Sequence, residues 1–93
     1  MLLQAELQVL NQLGMHARPA AEFVRCAQRF PATQIRLHKD NEAFSATSIL
    51  EVLSANLDCG SQFMVVADGP EAAEALAALA GLMVHFRDDE QQV

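Results

Sequence analysis

The sequence predicts an α+β fold in which one sheet carries helices on one face and leaves the other open. Three observations support this. Residues near the start alternate with the period of a strand, two later stretches repeat with the period of a helix, and short turn-forming segments separate the elements. The resulting order is strand, helix, strand, strand, helix, strand, helix. At 93 residues the chain is long enough for one core but leaves little room for a deep cavity, so any site is expected to be shallow and near the surface. We read residues 1–87 as a single domain and 88–93 as a polar C-terminal tail that frays.

Each element has its own signal. Leu3, Ala5, Leu7 and Val9 alternate with Gln4, Glu6 and Gln8, which predicts a strand with one buried face. After a turn at Asn11 to Gly14, Ala20, Phe23, Val24 and Ala27 recur at helical spacing opposite Glu22, Arg25 and Gln28. That pattern predicts an amphipathic helix from Ala17 to Phe30, ended by Pro31. Ile35 and Leu37 alternate with Arg36 and His38, and the polar run Lys39 to Glu42 predicts a hairpin into Ala43 to Ala46. Ser48, three residues before Glu51, has capping-box spacing for a short helix whose apolar residues are Ile49, Leu50, Val52 and Leu53. Asn56 to Ser61 turns the chain into an apolar strand, Phe63 to Ala67. A last helix starts near Glu71, with Ala73, Leu76, Ala77, Ala80, Met83 and Val84 as its apolar positions.

Composition narrows the function classes. The formal net charge of -6 argues against nucleic acid or an anionic membrane surface as a partner, because a phosphate backbone calls for clustered Lys and Arg. Apolar residues make up 52% of the chain, yet charges and turns interrupt them well short of the roughly 20 residues of a membrane span. Met1 to Leu10 lacks the basic start and cleavage pattern of a signal peptide, so a cytoplasmic location is expected. Cys26 and Cys59 have no CxxC or CxxH spacing; we read them as free thiols and expect no metal site and no cofactor.

The most informative run is Gly14-Met15-His16-Ala17-Arg18-Pro19-Ala20-Ala21. Pro19 fixes its own φ and gives up an N–H that a first helical turn leaves unbonded, so it marks a helix start and puts His16 at or near the N-cap. Free N–H groups and the positive end of the helix dipole favour an anion at that place. Arg18 adds a guanidinium suited to phosphate oxygens. A lone histidine at a helix start is ordinarily a capping or solvated residue, and a lone arginine there an unattached surface cation. The Gly-started turn, the imidazole, the arginine two residues on and the proline together point to a phosphate site. His38, at a strand end, and His85, in the last helical turn, have no metal-ligand company.

These eight residues resemble, position by position, the active-site motif of the histidine-containing phosphocarrier family, HPr, of the phosphoenolpyruvate-dependent phosphotransferase system. The resemblance extends over nearly the whole chain. It implies an open-faced β-sandwich, a four-stranded antiparallel sheet with three helices on one face. It also implies a phosphocarrier: His16 takes a phosphoryl group on Nδ1 from phosphorylated enzyme I and passes it to an enzyme IIA-type acceptor, with the backbone N–H groups of Ala17 and Arg18 and the Arg18 side chain holding the transferred oxygens. Met15, Ile49, Leu50 and Glu51 are marked as the partner-docking surface, with Leu53 read as core. A carrier that serves two partners in turn is expected to be a monomer.

Ser48 matches a position that is a regulatory phosphorylation site in some HPr proteins. Thr47, however, stands where that serine-site pattern has Lys, Arg, Asp or Asn, and we favour helix capping for Ser48. Thr47 and Glu51 occupy positions where the sugar-transport carriers often have lysine. With the Gly69-Pro70-Glu71 helix start and the Asp88-Asp89-Glu90 segment, the chain looks more like the nitrogen-related branch. Two other classes remain open at this level: a regulatory docking module that is not phosphorylated, and a ferredoxin-like ligand-sensing domain.

Overall fold

A computed structural model describes residues 1–91. It contains β1 (Leu2–Gln8), α1 (Ala17–Gln28), β2 (Gln34–Lys39), β3 (Glu42–Ser45), α2 (Ile49–Ser54), β4 (Gln62–Asp68) and α3 (Ala72–Gln91). This is the expected α+β order. The strands form one four-stranded sheet in the spatial order β1-β4-β2-β3, and every neighbouring pair is antiparallel.

The register explains why one face is dry. Leu7 pairs with Phe63, and Leu37 pairs with both Val65 and Phe44; these residues lie on the face that the helices cover, where Phe63, Val65, Ala67, Ile35 and Leu37 are buried. The alternate positions, among them Gln4, Glu6, Arg36 and His38, are exposed on the open face. From the helical layer, Phe23 meets Phe63 edge to face with ring centroids 6.2 Å apart. The hairpin between β2 and β3 turns at Asp40 and Asn41, which both have positive φ (52° and 67°), as a two-residue turn matched to strand twist requires.

α1 buries Ala20, Phe23, Val24 and Ala27 as their spacing predicts, together with Cys26 and Pro19. α3 departs from the sequence reading in two ways. Its buried residues are Ala72, Ala75, Leu79, Met83 and Phe86, whereas Ala73, Ala77 and Val84 are exposed. The helix is apolar almost all round, so periodicity could not fix its phase. It also continues through Gln91, so the helix takes in residues 88–91 of the expected tail and His85 stands well inside it. The remainder of that predicted tail, residues 92–93, lies outside the described residues. No helix among the described residues is long and apolar enough to cross a membrane.

α2 begins at Ser48, whose side chain accepts the Glu51 N–H at 3.3 Å. The expected capping box is only half made. The Glu51 carboxylate accepts from the Ser45 N–H at 3.0 Å, and the Ser48 N–H is taken by the Ser45 carbonyl at 3.3 Å. Ser45, already paired in the sheet, competes for the groups that would complete the box.

Candidate functional site

The site is built around the entry to α1. Gly14 adopts φ +71°, and its N–H donates to the Asn11 carbonyl at 3.2 Å. The Asn11 side chain is buried and donates to the Gly14 carbonyl at 2.8 Å. The next N–H, that of Met15, donates to the Leu57 carbonyl at 2.8 Å. These bonds tie the turn to the segment after α2 and fix where the chain enters the helix.

His16 is the N-cap residue, extended at φ -77° and ψ -172°, and its side chain makes no capping bond. Its carbonyl accepts the first helical bond from Ala20 N at 2.9 Å. The imidazole is exposed and both ring nitrogens are free of protein partners among the described residues. Neither the Ala17 nor the Arg18 N–H finds an acceptor among the described residues, as expected of a first helical turn. Those donors lie at the positive end of a 12-residue helix with no acidic residue in its first turn.

His16, Arg18, Pro19 and Glu22 of α1 line a small open cavity of about 170 Å³ together with Asn11 and Leu13 of the turn and Phe86, Asp89 and Glu90 of α3. Its charged lining is one guanidinium and three carboxylates. The cavity can admit a phosphoryl-sized group, and the free donors and Arg18 would bind its oxygens.

The predicted docking residues fall out differently from one another. Met15 is 7% exposed and belongs to the core, because its backbone bond to Leu57 turns the side chain inward; its expected place on an exposed surface is corrected. Leu53, read as core, is instead 37% exposed. With Leu50 (75%) and Ile49 (38%) it makes α2 an apolar surface on a helix that packs beside α1. Glu51 is exposed, with its carboxylate held by Ser45. The sequence reading missed Asn11, Leu57, Glu22, Asp89 and Glu90. Of these only Asn11, an Asn opening a turn that closes on Gly14, had a local signal.

Comparison with known proteins agrees with this arrangement of fold and helix-start site. Residues 3–84 match the family model described as "PTS HPr component phosphorylation site", and the chain belongs to the HPr family of phosphotransferase-system phosphocarriers. It is 38% identical over 84 residues to the phosphocarrier protein HPr of Treponema pallidum (strain Nichols), covering 90% of this chain and 94% of that one. To the phosphocarrier protein NPr of Escherichia coli (strain K12) it is 34% identical over 90 residues, covering 97% of this chain and all of that one (100%). Its fold superposes on the crystal structure of HPr-C-His from Thermoanaerobacter tengcongensis with a TM-score of 0.86 at 34% identity, over 92% of this chain and 96% of that one. Family membership selects the phosphocarrier class over the ferredoxin-like sensing domain.

Proposed function

We propose that His16 is the phosphoryl acceptor, charged by the phosphohistidine of enzyme I and discharged to an enzyme IIA-type protein. The observation that carries this reading is the His16 imidazole itself, exposed at the N-cap, without a capping bond and next to the unbonded N–H groups of Ala17 and Arg18. In the reactive tautomer the proton sits on Nε2. The Nδ1 lone pair attacks phosphorus, the donor's P–N bond breaks, and the donor imidazole leaves with its electron pair. The second transfer expels neutral imidazole from phosphorus in the same way, so the step runs in both directions. Arg18 and the helix-start N–H groups hold the transferred oxygens, because phosphoryl transfer depends chiefly on positioning and charge stabilisation.

Leu50, Ile49 and Leu53 supply the apolar part of the partner surface. One small surface serves donor and acceptor in turn, a task suited to a monomer with brief contacts. Ser48 acts as the α2 cap in this reading and not as a regulatory phosphorylation site. Incubation with the host's enzyme I and phosphoenolpyruvate is expected to add one acid-labile, hydroxylamine-sensitive phosphate, read by intact mass, and His16→Ala is expected to abolish it without unfolding the protein. Equal labelling of that variant would overturn the assignment; no labelling of the wild type by active enzyme I would favour a docking module that is not phosphorylated.

A further inference from the structure

One contact at the site is not used by the transfer chemistry. Glu90, near the end of α3, is half-buried where its neighbours Asp88 and Asp89 are exposed. Its carboxylate accepts two successive backbone N–H groups, that of Gln12 at Oε1 and that of Leu13 at Oε2, the latter at 3.0 Å. We propose that Glu90 is a positioning residue for His16, a clamp through which the end of α3 sets the turn that delivers the imidazole; this rests on the reading of His16 as phosphoryl acceptor.

The turn needs such a clamp. Its two ends are fixed by the Asn11 side chain on the Gly14 carbonyl and by the Met15 N–H on Leu57. Its middle, Gln12 and Leu13, points both side chains into solvent, with Leu13 71% exposed. Glu90 is the group that holds those two amides among the described residues, through a forked pair of charge-assisted hydrogen bonds. Among the described residues His16 makes no side-chain hydrogen bond, its capping bond included, so the placement of its ring follows the backbone that precedes it. A small displacement of a reacting group costs a large factor in rate, so a restraint on residues 12 and 13 acts on the reaction four and three residues later.

Charge offers a different role for the same residue. Glu90 lines the cavity with His16, Asp89 and Glu22, and a carboxylate that acted only by repelling the incoming phosphoryl group would slow uptake, so that its removal would speed it. The clamp predicts the opposite sign.

The experiment compares wild type, Glu90→Ala and Glu90→Gln, with phosphoramidate as a chemical donor that needs no partner protein. Amide hydrogen exchange is measured at Gln12 and Leu13, with Leu37 and Val65 as core controls, and phosphate uptake is followed by intact mass. Glu90→Ala is expected to lose protection at Gln12 and Leu13 and to take up phosphate about 10-fold more slowly, while the core amides keep theirs. Glu90→Gln, which keeps one acceptor of the right length, should fall between the two in both readouts. Unprotected Gln12 and Leu13 amides in the wild type, or uptake by Glu90→Ala that is unchanged or faster, would overturn the positioning role. Wild type that takes up no phosphate would instead overturn the acceptor reading itself.

Discussion

Gly14 and Leu57 are in backbone contact: a Cβ on residue 14 would stand 3.0 Å from the Leu57 carbonyl oxygen and 3.1 Å from the Asp58 Cα, at a φ of +71°. Both the conformation and the close approach demand glycine. Gly14→Ala is expected to cost roughly 1–3 kcal/mol, since alanine is strained at positive φ and must also push the Leu57 segment away. Urea unfolding measures this. The same displacement lengthens the Met15 to Leu57 bond that leads into His16, so slower phosphate uptake should accompany the loss. A variant as stable and as active as wild type would contradict the account.

Arg18 is exposed and has no ion-pair partner among the described residues, so its guanidinium is free for an incoming anion. Arg18→Ala should therefore leave the melting temperature unchanged within error while lowering phosphoryl uptake from enzyme I by about 100-fold, the scale for one lost donor to a developing oxyanion. Arg18→Lys keeps a charge without the fork and should recover part of the rate. Steady-state transfer assays on both variants give the comparison, and an Arg18→Ala protein with wild-type rates would remove Arg18 from the site.

Thr33 caps α3 from outside the helix. Its buried hydroxyl accepts the Glu71 N–H at 3.0 Å across 38 residues of chain. Thr33→Val keeps the volume but orphans that donor, with an expected loss of about 1 kcal/mol. Thermal unfolding should show it, with phosphate uptake below the transition unaffected because the cap is remote from His16.

Thr33 also shows which features could be read from the sequence and which could not. Pro19 and the spacing of Ala20, Phe23, Val24 and Ala27 carry α1 and its buried face locally, and the alternation around Leu7 carries β1. Pro19 marks the helix start, but as the third residue of α1 it brings His16 only to the neighbourhood of the N-cap. Met15 gave no such signal: whether the residue beside His16 faces out or in depends on a bond to Leu57, formed only in the folded chain. The phase of α3 failed because alanines surround it, so Ala72 and Ala73 differ only through what packs against them. Glu90 reaches Gln12 over 78 residues, and a carboxylate in a run of acidic residues carries no mark of the amides it meets.

The two thiols should differ in reactivity. Burial pushes Cys26 above its ordinary pKa of 9.0, opposed by the nearby Arg29 charge, whereas Cys59 is exposed. At pH 8 a disulfide reagent such as DTNB should modify Cys59 promptly and Cys26 only as the protein opens. The shift also bears on stability. A thiol whose pKa is higher folded than unfolded holds its proton more tightly in the native state, so its contribution is complete below pH 9 and is lost as pH rises above it. Cys26→Ala should accordingly flatten the fall in stability above pH 9, and an identical alkaline profile for wild type and variant would count against it.

Asp89 shares the His16 cavity with Arg18 but is exposed and outside the Glu90 clamp. A phosphoryl group on His16 adds further negative charge to a lining that already holds the carboxylates of Glu22, Asp89 and Glu90. Like charges raise the free energy of the phosphorylated form and so make the group easier to pass on. Asp89→Asn removes one of them without touching the fold. With isotope-labelled wild type and unlabelled Asp89→Asn mixed in equal amounts, and a trace of enzyme I to equilibrate them, the variant should hold about 2–4 times more phosphate, the scale of an exposed charge interaction. The excess should shrink as salt is raised from low ionic strength to about 1 M, where screening acts over about 3 Å. Equal partition at low salt would mean that Asp89 does not feel the phosphoryl group, and that Arg18 and the helix-start N–H groups set its transfer potential without the acidic end of α3.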